Sequence, residues 1–163
     1  MHPNEKLIEI FYTSFQKLDA GGMLSCYHQD IRFSDPVFPL LSEGEVGGMW
    51  RMLCSQAKNF ELTFTDVQAD ERMGKAHWEA RYKFSATGRS VHNKIDARFE
   101  FQDGKIIKHT DEFDFWKWSR MALGPVGSLL GWTPLLRKKV RNQARARLER
   151  FMKSQTAADK SED

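Results

Sequence analysis

Three residues in this chain have the types and spacing for proton chemistry. Asp35 stands directly before Pro36, and His109 and Asp111 lie two apart in the run from Lys105 to Phe115. That run reads as a strand, so its side chains alternate. Ile107, His109, Asp111, Phe113 and Phe115 share one face, and Ile106, Lys108, Thr110, Glu112 and Asp114 share the other. Carboxyl groups and an imidazole on an apolar wall can pass protons to and from a bound molecule. Desolvation raises a carboxyl pKa, a second carboxylate raises it further, and a protonated imidazole opposes the rise. Asp35 or Asp111 would abstract a proton, and His109 would donate one or hold an oxyanion. The plainer alternatives are that Asp35 caps a turn and that His109 and Asp111 hydrogen-bond core groups.

The elements that would position these groups follow from period. Asn4 is placed to cap a first helix carrying Leu7, Ile8, Phe11, Phe15 and Leu18, which Gly21-Gly22 would end. A short second helix would hold Met23, Leu24 and Tyr27, and Ile31-Arg32-Phe33 a short strand stopped by Asp35-Pro36. After a loop from Phe38 to Gly48, a third helix would bury Val46, Trp50, Leu53, Cys54 and Ala57. The period then switches to two. Phe60, Leu62 and Phe64 alternate with polar residues; so do Ala76 to Phe84 and Ile95 to Phe101, with Thr87-Gly88 and Asp103-Gly104 as turns. The order is α-α-β-α-β-β-β-β. Long antiparallel strands with one apolar face require helices to cover it.

Composition sets the class. With 40% hydrophobic, 12% aromatic and 29% charged residues, the chain of 163 can fill a core, which excludes a disordered chain or a disulfide scaffold. Cys26 and Cys54 sit among apolar neighbours as structural thiols, and without a Cys/His cluster no metal site is expected. The opening residues show no basic region followed by an apolar run, so no secretion signal is expected. The uncharged stretch from Met121 to Leu136 is broken by glycine and proline and is shorter than the roughly 20 residues of a membrane span, so a cytoplasmic protein is expected. From Pro134 to Lys153 there are eight basic residues and one acid, with Leu136, Val140, Ala144, Leu148 and Phe151 or Met152 as an apolar stripe. The basic face is read as solvated, and nucleic acid is not an expected partner because the remainder is slightly acidic.

The layout resembles the nuclear transport factor 2-like (SnoaL-like) superfamily, on Phe33-Ser34-Asp35-Pro36 after two helices and Asp103-Gly104-Lys105-Ile106 before the last strand. Ketosteroid isomerase, limonene epoxide hydrolase and scytalone dehydratase are among its members. The resemblance implies an α+β, cystatin-like cone: a curved antiparallel sheet wrapped round the N-terminal helices, over residues 1–118. Residues 119–153 would add an apolar loop and a basic amphipathic helix, and 154–163 a polar, disordered tail. It also implies a homodimer, no cofactor, and a cavity lined by Phe11, Phe15, Phe33, Trp50, Trp78, Tyr82, Phe99 and Phe113, into which Asp35, His109 and Asp111 would point.

Within that superfamily Asp35 looks like the isomerase's general base. The isomerase's tyrosine falls on Ser14, and its protonated aspartic acid on Asp96, whose strand phase turns it outward. Asp111 looks like one aspartate of the epoxide hydrolase, but that enzyme's arginine and second aspartate fall on Trp78 and Ala80, with Glu79 and Arg81 one residue off. Neither reaction is therefore expected. The expected function is binding of a small apolar, oxygen-bearing molecule, with cofactor-free acid–base chemistry of isomerase, dehydratase, cyclase or hydrolase type. The alternatives are a binding or interaction protein without chemistry, and contact of the C-terminal extension with a membrane surface.

Overall fold

The first helix begins where a proline and a capping box coincide. In the computed structural model, which describes residues 1–162, α1 (Pro3–Gln16) starts at His2, whose Nδ1 accepts from Asn4 N while its own N–H donates to Glu5. Asn4, expected as the cap, lies one residue inside; its Nδ2 donates to the carbonyls of Asp70 (2.8 Å) and Glu71 (3.3 Å) and clamps a hairpin end. The helix stops at Gln16, with Leu18 left-handed at φ 54°, before the glycine pair that was expected to end it. Gly21 and Gly22 belong to α2 (Ala20–Leu24), and Cys26 lies in the turn after it.

Tyr27, assigned from sequence to the second helix, begins β1 (Tyr27–Ser34). After β2 (Leu41–Ser42), α3 runs Gly44–Gln56, starting inside the expected loop; Val46 and Trp50 are buried on it, while Leu53 is exposed. Four strands follow: β3 (Glu61–Ala69), β4 (Met73–Lys83), β5 (Ser90–Gln102) and β6 (Lys105–Glu112). Asp103 and Gly104, at φ 52° and 72°, make the tight turn that their pairing predicts. The six strands form one sheet in the order β2-β1-β6-β5-β4-β3. Neighbours are antiparallel except β1 with β6, which is parallel, as a strand returning after helix α3 and three further strands allows. The core lies between the sheet's inner face and α1 and α3, in the α+β architecture expected.

The last strand carries an irregularity. Glu100 pairs with Lys108 but Phe101 with Ile106, so Ile107 is an extra residue. Ile106, not Ile107, is therefore buried beneath the sheet, and the alternation resumes so that His109 and Asp111 still face inward. Asp96 faces outward, bonded to His77 at 2.8 Å, as its phase predicts.

Beyond β6 the chain is helical where an apolar loop was expected. Asp114 caps α4 (Phe115–Leu123), α5 spans Pro125–Leu130, and α6 spans Pro134–Ser161. Phe115, expected on the strand, is buried on α4 in a second small core with Trp118, Ala122, Leu136 and Val140. The last turns of α6 continue through the polar residues expected to fray. Gly127 is where α5 meets α4 most closely, since a Cβ there would collide with the Ser119 carbonyl. Gly127→Ala is expected to lower stability by about 1–3 kcal/mol, read from denaturant unfolding. Among the described residues no helix is long and apolar enough to cross a membrane.

Candidate functional site

A cavity of about 640 Å³ opens between the inner sheet face, α3 and α6. Such a volume lies within the usual range of small-molecule sites, about 300–1,000 Å³. Its walls are mostly apolar and carry Phe15, Phe33, Phe38, Trp50, Phe60, Trp78 and Phe113. Helix α6 of the same chain walls its mouth through Val140, Ala144 and Arg147. It is held there by Arg147 on Ser85 and Gln56, by Arg141 Nε on the Pro36 carbonyl (2.9 Å), and by Leu148 and Met152 against Gly48.

Two of the three expected polar groups reach this cavity. Asp111 lines it although the residue is only 3% exposed. Its Oδ1 accepts from the Trp78 indole N–H (3.3 Å) and lies 2.9 Å from His109 Nε2. Among the described residues its Oδ2 has no hydrogen-bond partner. His109 is 0% exposed and stands behind the wall rather than on it. Its Nδ1 lies 2.8 Å from the Tyr27 hydroxyl, which accepts from the Trp50 indole N–H at 3.0 Å. The Asp111 carboxylate only accepts, so His109 Nε2 carries the proton between them, and in the neutral ring Nδ1 is left to accept from the Tyr27 hydroxyl. Trp50 donates to Tyr27, Tyr27 to His109 Nδ1, and His109 Nε2–H to Asp111. Phe11 and Phe99, expected to line the cavity, instead pack on the imidazole, at ring-centroid distances of 5.4 and 4.5 Å. His109 thus touches the cavity only through Asp111, to which it is hydrogen-bonded.

Asp35 comes from the turn after β1. Its Oδ1 accepts from Val37 N (2.7 Å) and Phe38 N (2.6 Å), so the turn-forming reading of Asp-Pro holds as well. The residue is half-buried, with its open side on the cavity. Burial pushes its pKa up to about 7, with the Asp111 charge adding to the rise; the Phe38 and Val37 N–H groups and Arg141 oppose it. Tyr82 is the third polar group on the wall. Its oxygen accepts from the Trp118 indole N–H (2.9 Å), which leaves its own proton for the cavity. Burial, and the charge of Asp35, raise it to about 12, so it is a donor at neutral pH.

Two polar residues inside the cone were not anticipated. Asn93 is buried on the cavity wall, and its side-chain amide has no hydrogen-bond partner among the described residues. Its signal was present, since it shares the apolar phase of Val91 and Ile95. Tyr12 is fully buried, stacked on Phe64 at 5.3 Å, and its hydroxyl is the one side-chain nitrogen or oxygen wholly sealed from solvent without a partner among the described residues. Burial first, and the charge of Asp111 next, push it well above the usual phenol range. Tyr12→Phe is expected to raise unfolding stability by about 1 kcal/mol, because the lone hydroxyl is desolvated without return.

Comparison with known proteins gives the following. Residues 8–109 match the model of the SnoaL-like domain. An NTF2-like protein of unknown function from Burkholderia pseudomallei is 19% identical, with TM-score 0.66, over 74% of this chain and 98% of its own. An LEH-like epoxide hydrolase from M. tuberculosis is 18% identical, with TM-score 0.63, over 78% and 95%. A protein with a ketosteroid isomerase-like fold from Catenulispora acidiphila, in complex with trimethylamine, is 10% identical, with TM-score 0.64, over 78% and 97%. At these identities the likeness is one of fold. No curated protein is matched.

Proposed function

This chain belongs to the SnoaL-like domain family, and from that premise we propose that its cavity performs cofactor-free acid–base chemistry on a small, mostly apolar, oxygen-bearing molecule. The observation that carries the reading is a pair of carboxyl groups on the wall of one apolar cavity, each with an oxygen left free by its own supporting bonds. Their surroundings divide the roles. Asp111, with Oδ1 held by His109 and Trp78, is the acceptor: Oδ2 takes a proton from a substrate carbon or from a water. Asp35, whose pKa of about 7 leaves much of it protonated at neutral pH, is the donor to the substrate oxygen. Tyr82 O–H and the Asn93 amide orient that oxygen. The division suits an isomerisation, dehydration, cyclisation or hydrolysis.

One observation favours a second reading, binding without turnover: Asp35 Oδ1 is fully used in its turn, so the residue has a structural reason to be there. The test is a panel of epoxides, lactones and enolisable ketones, followed by mass spectrometry in heavy water. Conversion or deuterium incorporation that disappears in Asp111→Asn, and persists in the outward-facing Asp96→Asn, supports acid–base catalysis. Saturable binding with neither signal supports the binding reading.

A further inference from the structure

The sharpest feature outside the cavity is the tip formed by α5 and the turn into α6. Leu129, Trp132 and Leu135 are 72%, 68% and 79% exposed, so these side chains protrude rather than line a groove. They are contiguous: Val126, Leu129 and Leu130 share a face of α5, and the Trp132 indole N–H donates to the Leu129 carbonyl at 3.0 Å. Trp116 joins them from α4, donating to the Ser128 carbonyl at 3.2 Å.

Cations border this tip. Arg120 lies on the Trp116 ring, 5.6 Å from its centroid, and Lys138 and Lys139 follow Leu135 at i+3 and i+4 on exposed positions of α6, while Arg137 is turned onto the Phe115 ring, 5.1 Å from its centroid. On the other flank a surface cleft of about 940 Å³ is lined by Arg89, Lys94, Lys117 and Arg120. The acid in that cleft, Asp114, accepts the Lys117 backbone N–H as the cap of α4.

We propose that this tip docks on the surface of an anionic lipid bilayer, with Leu129, Leu130, Trp132 and Leu135 entering the interface and the flanking cations meeting headgroups. Protruding apolar side chains need a deformable phase, which a bilayer supplies without a matching pocket. Tryptophan prefers the headgroup level, and the surrounding positive charge selects anionic lipid over a neutral surface. The tip lies outside the family match that ends at residue 109, so the proposal does not rest on the cavity chemistry.

Flotation of the full chain tests it, with vesicles of phosphatidylcholine alone and of equal parts phosphatidylcholine and phosphatidylserine. The chain is expected to float with the mixed vesicles at low salt and not with phosphatidylcholine. Leu129→Ser combined with Trp132→Ser should weaken that association about tenfold or more, with an unchanged thermal midpoint. Lys138→Gln and Lys139→Gln should each weaken it about fivefold. Three results would overturn the proposal. They are no flotation with mixed vesicles, flotation that survives the serine pair, and a dimer in light scattering that the serine pair splits, which would make the occupant a second copy.

Discussion

The Asp111→Asn variant is expected to lose about 10²–10⁴-fold in kcat while its thermal midpoint stays within a few degrees of the parent. The substitution preserves an oxygen where Oδ1 now accepts from His109 Nε2–H and Trp78 Nε1–H, so the bond chain from Trp50 through Tyr27 remains closed. It removes the acceptor at Oδ2 and the charge that sets the proton's destination. Asp111→Ala should behave differently. It leaves the His109 and Trp78 donors buried without a partner and should cost about 3–5 kcal/mol in denaturant unfolding. The contrast between the two variants isolates chemistry from support. Should Asn destabilise as strongly as Ala, the carboxylate is there to hold the core and the acid–base reading fails.

The second large effect is on stability against pH, through Asp35. Its folded pKa of about 7 stands above the ordinary 3.8, so between those values the folded chain keeps a proton that the unfolded chain releases. Stability must then fall as pH rises through this window and level off above about pH 7, a loss of at most about 4 kcal/mol. The open side of the residue on the cavity makes that an upper value. Asp35→Asn retains an acceptor for the Val37 and Phe38 N–H groups and has no proton to lose. It is expected to match the parent near pH 4 and to exceed it by about 2–4 kcal/mol near pH 8, in urea titrations at each pH. Equal stability of the two proteins near pH 8 would mean that Asp35 is not held away from water. Asp111→Asn should in addition lower the Asp35 pKa, observable in its carboxyl NMR shift, because the Asp111 charge is one cause of the rise.

The long strands were legible because period-two alternation is a local signal, and it oriented His109, Asp111 and Asp96 correctly. It would have exposed Asn93 as well, had a polar residue in an apolar phase been sought on every strand. Depth along the inward direction is another matter. Both His109 and Asp111 face in, but whether an inward side chain touches the cavity depends on what stands before it, and Phe11 and Phe99 share His109's place behind the wall. The Tyr27 contribution was hidden by a helical assignment of a short apolar stretch, which periodicity cannot settle in so few residues. The position of α6 over the mouth rests on contacts such as Leu148 and Met152 with Gly48, which join residues about a hundred positions apart and leave no local trace.

The supernumerary Ile107 has a consequence for what the chain tolerates. Because Ile106 and His109 both look inward although they are three positions apart, the strand counts an odd step between the hairpin and the polar pair. A shortening by one residue at that step would even it out: Ile106 and His109 would stand two positions apart in a regular ladder, still opposite Phe101 and Phe99, and both would keep their inward seats. The extra residue sets the local bend and twist of the strand, and the direction of the histidine and aspartate does not depend on it.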